Sequence, residues 1–238
     1  MRSVGRTVRT TVVTIDGPAG AGKSTVAKQL AKRLHFSYLD TGAMYRALTL
    51  KALRAKVKLE DESALVALAK KTSIDFKEDP RQGLRVLLDG EDVSEAIRQV
   101  EVTNQTFYIA RAPRVREIMV DWQREIGTKH NVVVEGRDIG TVVFPQATHK
   151  FYLDANFEER ARRRIKELEE KGQNVEAEKL KQELKERDTK DMTRTAGPLK
   201  KADDAVFIDS TDLTAEQVVE KMSERIKGHK VSESQGRK

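Results

Sequence analysis

The sequence predicts an α/β fold built on a mainly parallel sheet. Short β-branched or apolar runs alternate with longer helix-like segments along most of the chain, which is typical of strands joined by crossover helices. One run, Val132-Val133-Val134, is continuously apolar, as expected for a strand covered on both faces. A single segment breaks the alternation, so we expect one α/β domain with a small β insert.

Each element is predicted from periodicity and from the residues that bound it. The strand candidates are Thr11–Asp16, Ser37–Leu39, Asn131–Glu135, His149–Leu153 and Ala205–Ile208. The helix candidates are Ser24–Leu34, Ala43–Ala55, Glu62–Lys71, Pro113–Glu125, Phe157–Glu169, Glu176–Thr193 and Ala215–Ile226. A further amphipathic helix precedes Pro113 and carries Thr103, Thr106 and Phe107.

Two segments stand out from this pattern. Ile74–Lys77 and Leu84–Leu88 flank the turn residues 79–83, which predicts an antiparallel hairpin inside an inserted subdomain over residues 73–98. The stretch 166–186 is rich in Glu and Lys and is interrupted around Gly172. It is consistent with a lid of two exposed helices, and equally with an ordinary solvated helical hairpin.

The composition excludes several kinds of protein. The chain has 238 residues, enough for a substantial core, and its lack of cysteine excludes disulfides and thiolate metal sites. Its four histidines form no pair at helical spacing, and its apolar runs are too short to span a membrane. The basic start has no apolar stretch of the kind a signal peptide needs, so we expect a cytoplasmic protein.

The net charge of +7 raises the alternative of a nucleic-acid-binding ATPase. Part of the basic excess lies in residues 1–10 and 227–238, which we expect to be flexible ends. Binding of single strands also needs aromatic side chains for stacking. Aromatic residues make up only 5% of the chain, and Trp122 is the single tryptophan, so we expect no nucleic-acid partner.

A phosphate-binding motif follows the first predicted strand and opens the first predicted helix. The pattern G-x-x-x-x-G-K-[ST] is matched by Gly17, Pro18, Ala19, Gly20, Ala21, Gly22, Lys23, Ser24 and Thr25. The glycines let backbone N–H groups surround a β-phosphate, and the helix N-terminus adds partial positive charge. We expect Lys23 to reach the β- and γ-phosphates and Ser24 to bind the Mg²⁺ ion of a nucleoside triphosphate.

Two further polar segments follow predicted strands, where ligands gather in an open parallel sheet. After the second strand, Thr41 and Arg46 are candidates for an anion, although an N-cap followed by a surface arginine explains the segment equally well. After the third strand, Arg137 is a candidate phosphate clamp and Asp138 a candidate acceptor for an exocyclic amine. A structural Arg–Asp salt bridge is the alternative, and Glu135 is the candidate carboxylate near Mg²⁺.

Arginines recur at helical spacing in the last third of the chain. One predicted helix places three on one face, and the next places Asp191 between two more; they are Arg160, Arg163, Arg164, Arg187 and Arg194. Arg162 is expected to face solvent. If both faces point into a cleft, five guanidinium groups surround a transferring phosphoryl group, which requires charge neutralisation above all. A solvated basic surface is the alternative.

Taken together, these motifs closely resemble those of bacterial cytidylate kinases. The resemblance rests on the phosphate-binding motif and on three further strings, Asp40-Thr41-Gly42-Ala43-Met44-Tyr45-Arg46, the run from Glu135 to Pro145, and Lys185-Glu186-Arg187-Asp188. It implies a three-layer P-loop nucleoside monophosphate kinase fold with a five-stranded parallel core sheet, a small antiparallel β insert and a helical lid. It also implies a monomer that transfers the γ-phosphoryl group of ATP, with Mg²⁺, to CMP or dCMP.

The resemblance also implies roles and boundaries. Thr41 and Arg46 would bind the CMP phosphate region, Arg116 and Asp138 the cytosine edge, and Arg137 the phosphate. Asp191 would hold the ribose, while the phosphates would be bridged or covered by Arg163, Arg187 and Arg194. The kinase domain would span 11–226, with its core at 11–40, 99–156 and 195–226, its monophosphate-binding region at 41–98 and its lid at 157–194.

Two questions stay open at the sequence level. Some members of the family have a serine near the base where Phe107 falls, so either Thr103 or Thr106 takes that role here, or the register slips. A kinase for another small acceptor, such as adenylate, uridylate or shikimate, is the nearest alternative. The string Asp40–Arg46 and the β insert argue against it.

Overall fold

A five-stranded parallel sheet lies at the centre of the structure, a computed structural model that describes residues 10–79, 83–170, 172 and 174–235. The sheet order is β2-β6-β1-β7-β8. Its strands are β1 (Val12–Asp16), β2 (Ser37–Asp40), β6 (Val132–Gly136), β7 (His149–Asp154) and β8 (Val206–Asp209). Every strand pairing in this sheet is parallel, as the alternation of strands and helices predicts.

Helices cover both faces of the sheet and complete three layers. They are α1 (Lys23–Leu34), α2 (Thr41–Arg54), α3 (Glu62–Ala69), α4 (Val100–Arg111), α5 (Pro113–Lys129), α6 (Phe157–Glu170), α7 (Ala177–Thr193) and α8 (Ala215–Gln235). A short 3₁₀ turn (Ala96–Arg98) precedes α4, and a π-helical turn (Ile139–Val143) follows β6. The fold is therefore the three-layer α/β architecture expected from the sequence.

The continuously apolar run of β6 separates two hydrophobic cores. Val132 and Val134 pack with α2, α3 and α5 on one face, whereas Val133 packs with α1 and α8 on the other. All three side chains have 0% exposure, so the prediction of a strand covered on both faces is confirmed. Burial on both faces fixes the end of β6 firmly, and that end carries Glu135.

The predicted hairpin is present and contains one strand more than expected. β3 (Ile74–Asp79) and β4 (Gly83–Leu88) pair antiparallel, and a short β5 (Glu91–Asp92) adds to β4. The predicted turn residues 80–82 lie outside the described residues. Val86 and Leu88 pack against α2, which anchors the insert beside the carboxyl end of β2.

The last helix is longer than the sequence predicts. α8 continues past the predicted end at Ile226 to Gln235, so residues 227–235 are helical rather than an irregular tail. Among the described side chains of α8, which end at residue 228, Ile226 is the last in the hydrophobic core. The sequence after it shows no apolar periodicity that would predict further helix. Residues 1–9 and 236–238, which were predicted to be flexible, lie outside the described residues. No helix in the described part of the chain is long and apolar enough to cross a membrane.

Candidate active site

A deep cleft of about 2530 Å³ opens at the carboxyl ends of the parallel strands. The phosphate-binding motif, the start of α2, the insert, α4, the end of β6 and the helices α6 and α7 all contribute to its walls. The predicted site residues that line it are Ala19, Gly20, Gly22, Lys23, Ser24, Thr25, Thr41, Arg46, Arg137, Asp138, Arg163, Arg187, Asp191 and Arg194. Gly17, Pro18, Ala21 and Arg116 are buried and do not line the cleft.

The phosphate-binding loop has the backbone shape that its glycines predict. Gly20 and Gly22 have φ values of 79° and 86°, and Gly17 has a φ of 151°. A Cβ at Gly17 would overlap the carbonyl oxygen of Leu153 in the neighbouring strand. Gly22 caps α1 without any side-chain hydrogen bond, so the first N–H groups of the helix stay available for an anion.

Lys23 is a buried cation at the floor of the cleft. Its Nζ donates a hydrogen bond of 2.6 Å to the carbonyl oxygen of Pro18, and the residue is only 6% exposed. Burial, together with the positive charge of Arg137, lowers the pKa of Lys23 to about 7, although Glu135 acts in the opposite direction. Such a lysine lacks a sufficient counter-charge, and a bound phosphate would supply it.

Three carboxylates lie at the ends of β1, β2 and β6, and their partners differ. Asp16 accepts hydrogen bonds from the N–H groups of Ile139 and Gly140, at 2.8 and 2.7 Å. Burial nevertheless raises the pKa of Asp16 to about 6. Glu135 accepts a hydrogen bond from the hydroxyl of Tyr38, and burial raises its pKa as well.

The third carboxylate, Asp40, is the N-cap of α2. The alternative interpretation of this segment, a helix N-cap, is therefore confirmed for Asp40. It accepts a hydrogen bond of 2.8 Å from the Ala43 N–H and one of 3.0 Å from Arg46. Arg46, however, is not a surface residue: it is half-buried, and its Nε has no hydrogen-bond partner among the described residues. Thr41 is buried and donates a hydrogen bond of 2.7 Å to the carbonyl oxygen of Glu135.

The predicted base-reading pair forms a buried ion pair at the opposite end of the cleft. Arg116 on α5 pairs with Asp138, and it also donates a hydrogen bond of 3.2 Å to the carbonyl oxygen of Ala110. Its guanidinium group lies 5.6 Å from the centre of the Tyr45 ring. Asp138 lines the cleft, whereas Arg116 supports it from behind.

The helix α4 forms the wall beside this pair. Thr103, Thr106 and Phe107 all line the cleft, so the structure brings both threonines to the predicted region. The Thr106 hydroxyl donates a hydrogen bond of 2.7 Å to the carbonyl oxygen of Val102 within its own helix. The Phe107 ring offers the cleft an aromatic surface next to it.

Arginines from β6 and α7 converge over the floor of the cleft. Arg137 donates a hydrogen bond of 2.8 Å to Asp191, and Arg194 lies 3.6 Å from the same carboxylate. Among the described residues, Arg187 has no salt bridge, and burial together with Arg137 lowers its pKa to about 10. The cluster therefore holds more positive charge than its carboxylates neutralise, which favours an anionic ligand.

The first basic helix does not place all of its arginines in the cleft. Arg163 lies against the phosphate-binding loop, where it pairs with Glu159 and donates a hydrogen bond of 2.6 Å to the carbonyl oxygen of Ser210. Arg160 is buried and pairs with Asp188, and it donates a hydrogen bond of 3.0 Å to the carbonyl oxygen of Ala19. The expectation of five arginines around one phosphoryl group is therefore wrong for Arg160.

Arg160 instead joins the base of α6 to α7 and to the loop. Arg164 does line the cleft and pairs with Glu167, while Arg162 is exposed, as predicted. Glu159, Glu167 and Asp188 already pair with arginines of α6.

Sequence reasoning missed several polar residues at the site, of which Tyr38 and Arg98 interact with carboxylates at the strand ends. Tyr38 contacts Glu135 from the neighbouring strand, and Arg98 from the 3₁₀ turn lines the cleft near Asp40. The alternation of β2 gives a signal for Tyr38, because Tyr38 and Asp40 share one face of the strand. Nothing in the local pattern distinguishes Arg98 from other surface arginines.

The described residues contain no group of three or more histidine, aspartate or glutamate side chains arranged to hold a metal ion. The Ser24 hydroxyl and the Glu135 carboxylate lie close together beside Lys23, and both offer the hard oxygen donors that Mg²⁺ prefers. The donor set fits a nucleotide-bound Mg²⁺ ion.

A comparison with known protein families gives a match over residues 13–228 to the model described as cytidylate kinase. The chain belongs to the cytidylate kinase family. A cytidylate kinase from Caldanaerobacter subterraneus subsp. tengcongensis is 53% identical over 218 residues, which cover 92% of this chain and 95% of the relative. The cytidylate kinase from Desulforamulus reducens is 53% identical, and the match covers 87% of this chain and 92% of the relative. The one from Pelotomaculum thermopropionicum is 51% identical, and the match covers 90% of this chain and 95% of the relative. Membership of the family agrees with the P-loop kinase fold.

Proposed function

We propose that this protein transfers the γ-phosphoryl group of ATP to CMP and dCMP, giving CDP and dCDP. One observation carries the proposal: a single cleft joins the phosphate-binding loop with Lys23 at one end to Asp138, backed by Arg116, at the other. Between them lies a cluster of arginines with excess positive charge. The names of relatives about half identical to this chain support the same acceptor.

The chemistry requires no general base from the protein. The attacking atom is an oxygen of the CMP phosphate, which is already ionised at neutral pH. The bond between the γ-phosphorus and its bridging oxygen breaks, a bond to the CMP phosphate oxygen forms, and ADP leaves with the electron pair. The protein must therefore position two anions in line, neutralise their charge and exclude water.

The residues divide between donor and acceptor. The loop 17–25, with Lys23 and Arg163, would hold the phosphates of ATP. Thr41 and Arg46 would hold the CMP phosphate, Asp138 the cytosine edge and Asp191 the ribose, while Arg137, Arg187 and Arg194 would bridge the transferring group. Ser24 would bind Mg²⁺ together with the nucleotide, and the ion would add positive charge beside the β- and γ-phosphates.

The boundaries implied by the family resemblance complete the proposal. The lid would be 157–194, the monophosphate-binding region 41–98, and the core 11–40, 99–156 and 195–226. Closure of the lid would complete the arginine cluster only when both nucleotides are present, which limits hydrolysis of ATP. We also propose a cytoplasmic protein that is a monomer, as the family resemblance implies, and that has no nucleic-acid partner, since aromatic residues make up only 5% of the chain.

The test is an ADP-release assay with ATP and Mg²⁺ against CMP, dCMP, UMP, AMP, GMP and shikimate. Strong turnover with CMP and dCMP and weak turnover with the others would support both the phosphoryl transfer and the cytosine site. Chromatography should detect CDP in step with ADP. Equal release of ADP with every acceptor, or without one, would mean an ATPase and would overturn the proposal.

A further inference from the structure

Tyr38 has no role in the proposed mechanism, yet it contacts Glu135, a carboxylate beside Lys23 and Ser24. It lies on β2, next to β6, and its hydroxyl donates a hydrogen bond to Oε1 of Glu135. The Tyr38 ring is half-buried, and Nζ of Lys28 lies 5.7 Å from its centre. The hydroxyl is therefore held in a fixed direction by its neighbours.

Glu135 differs from the other two carboxylates at these strand ends. Both oxygens of Asp16 accept backbone N–H groups, and both oxygens of Asp40 are bonded to Ala43 and Arg46. One oxygen of Glu135 accepts the hydrogen bond from Tyr38. Glu135 also lines the cleft, where it lies next to the Ser24 hydroxyl. It is thus the carboxylate whose remaining oxygen can serve a ligand.

Lys23 presents a competing partner for that oxygen. A buried ammonium group beside a buried carboxylate gains strongly from an ion pair. The two groups nevertheless form no salt bridge, and Nζ of Lys23 donates to the carbonyl oxygen of Pro18 instead. One oxygen of the Glu135 carboxylate accepts the hydrogen bond from Tyr38 on the neighbouring strand β2, so that oxygen is already engaged.

We propose that Tyr38 is a positioning residue, which directs the second oxygen of Glu135 towards Ser24 and keeps Lys23 available for phosphate. Glu135 then accepts hydrogen bonds from the water shell of a nucleotide-bound Mg²⁺ ion, the arrangement by which outer-shell carboxylates orient metal sites. The inference rests on the proposed function only in that the cleft binds Mg²⁺ with a nucleoside di- or triphosphate.

The test compares Tyr38→Phe with the unaltered protein in calorimetric titrations of ADP, with and without Mg²⁺. The variant keeps the ring and loses only the hydroxyl. We expect the gain in ADP affinity that Mg²⁺ provides to fall by roughly 10-fold. The Mg²⁺ concentration that half-saturates turnover with CMP should rise by a similar factor.

A double-mutant cycle with Glu135→Gln separates positioning from a general structural effect. If Tyr38 acts through Glu135, the Tyr38→Phe change should add nothing once Glu135 is replaced. Tyr152→Phe is the matched control, because Tyr152 is half-buried on β7 and does not line the cleft. Its ring stacks on that of Phe207, with 6.2 Å between the ring centroids. It should leave the Mg²⁺ dependence unchanged.

Two results would overturn the inference. One is a Tyr38→Phe protein with an unchanged melting temperature and an unaltered Mg²⁺ gain in ADP affinity. The other is a loss that adds fully to that of Glu135→Gln. The calorimetric readout does not depend on the acceptor, so failure of the CMP assay with normal Mg²⁺–ADP binding would count against the proposed function alone.

Discussion

Arg116 of α5 and Asp138 at the end of β6 form an ion pair in which both side chains are almost wholly buried. The second oxygen of Asp138 lies 3.5 Å from Arg194, so one carboxylate serves two guanidinium groups. Burial raises the pKa of Asp138, and the positive charge of Arg116 acts in the opposite direction. The wall that we propose to contact the base is thus built from ion pairs within the protein itself.

Replacement of Asp138 by Asn should therefore affect both stability and base preference. Arg116 would become a buried charge without a counter-ion, which costs about 3–5 kcal/mol of the free energy of unfolding. An amide can also donate a hydrogen bond, so it would accept uracil more readily than a carboxylate does. We expect the ratio of kcat/KM for CMP over UMP to fall by about 10-fold or more.

The control for that variant is Asp204→Asn, which makes the same chemical change at a carboxylate outside the main cleft. Asp204 pairs with Lys150, and its side chain is 65% exposed. It should leave the CMP-to-UMP ratio unchanged. If Asp138→Asn also leaves the ratio unchanged, Asp138 supports Arg116 but does not read the base.

The local sequence pattern was sufficient to predict the strands of the sheet and the conformation of the phosphate-binding loop. The apolar run of β6 and the glycines of the loop act through their immediate neighbours, so their conformations can be inferred from a few residues. The hairpin was predictable for the same reason, whereas the short β5 was not, because two exposed residues carry no periodic signal.

Pairing between distant side chains could not be predicted. Helical spacing places Arg160 and Arg163 on one face of α6, and only the packing of α7 against the loop shows that Asp188 takes Arg160. The position of Arg116 behind Asp138 likewise depends on how α5 crosses the sheet edge. Arginines with the same helical spacing therefore have different partners, and only tertiary contacts determine which partner each one has.

Replacement of Lys23 by Met should abolish most turnover without harm to the fold. The methionine fills a similar volume, and the free energy of unfolding should stay equal or rise, because burial disfavours the charged lysine. We expect kcat to fall by at least about 100-fold, since a charge aimed at the transferring group is lost. Circular dichroism and the melting temperature would report the fold.

Lys32→Met is the matched control for Lys23. Lys32 lies in the last turn of α1, is exposed and does not line the cleft. It should retain normal kcat. Near-normal turnover of the Lys23→Met protein would remove the phosphate role assigned to that residue.

Replacement of Gly17 by Ala should destabilise the protein more than the same change at Gly90. Both glycines have positive φ values, of 151° and 86°. A Cβ at Gly17 would also overlap the Leu153 carbonyl, whereas one at Gly90 meets no atom within 4 Å. Urea unfolding should show a loss of about 3 kcal/mol at Gly17 against about 1 kcal/mol at Gly90. Equal losses would mean that the loop shifts without cost.

The pH dependence of stability offers a test of Asp16. Burial raises its pKa to about 6, above the value of 3.8 for an exposed aspartate. Between these values the folded state binds the proton more tightly, so the contribution of Asp16 is fully present below pH 3.8 and is lost as the pH rises through 6. The shift corresponds to about 3 kcal/mol at most.

Asp16→Asn does not titrate, so the variant isolates this contribution. The free energy of unfolding, from urea titrations between pH 4 and pH 7, should show that the difference between unaltered protein and variant shrinks by about 1–3 kcal/mol as the pH rises. A difference that stays constant would show that the N–H groups of Ile139 and Gly140 hold Asp16 ionised throughout. Their hydrogen bonds would then outweigh the desolvation of the carboxylate.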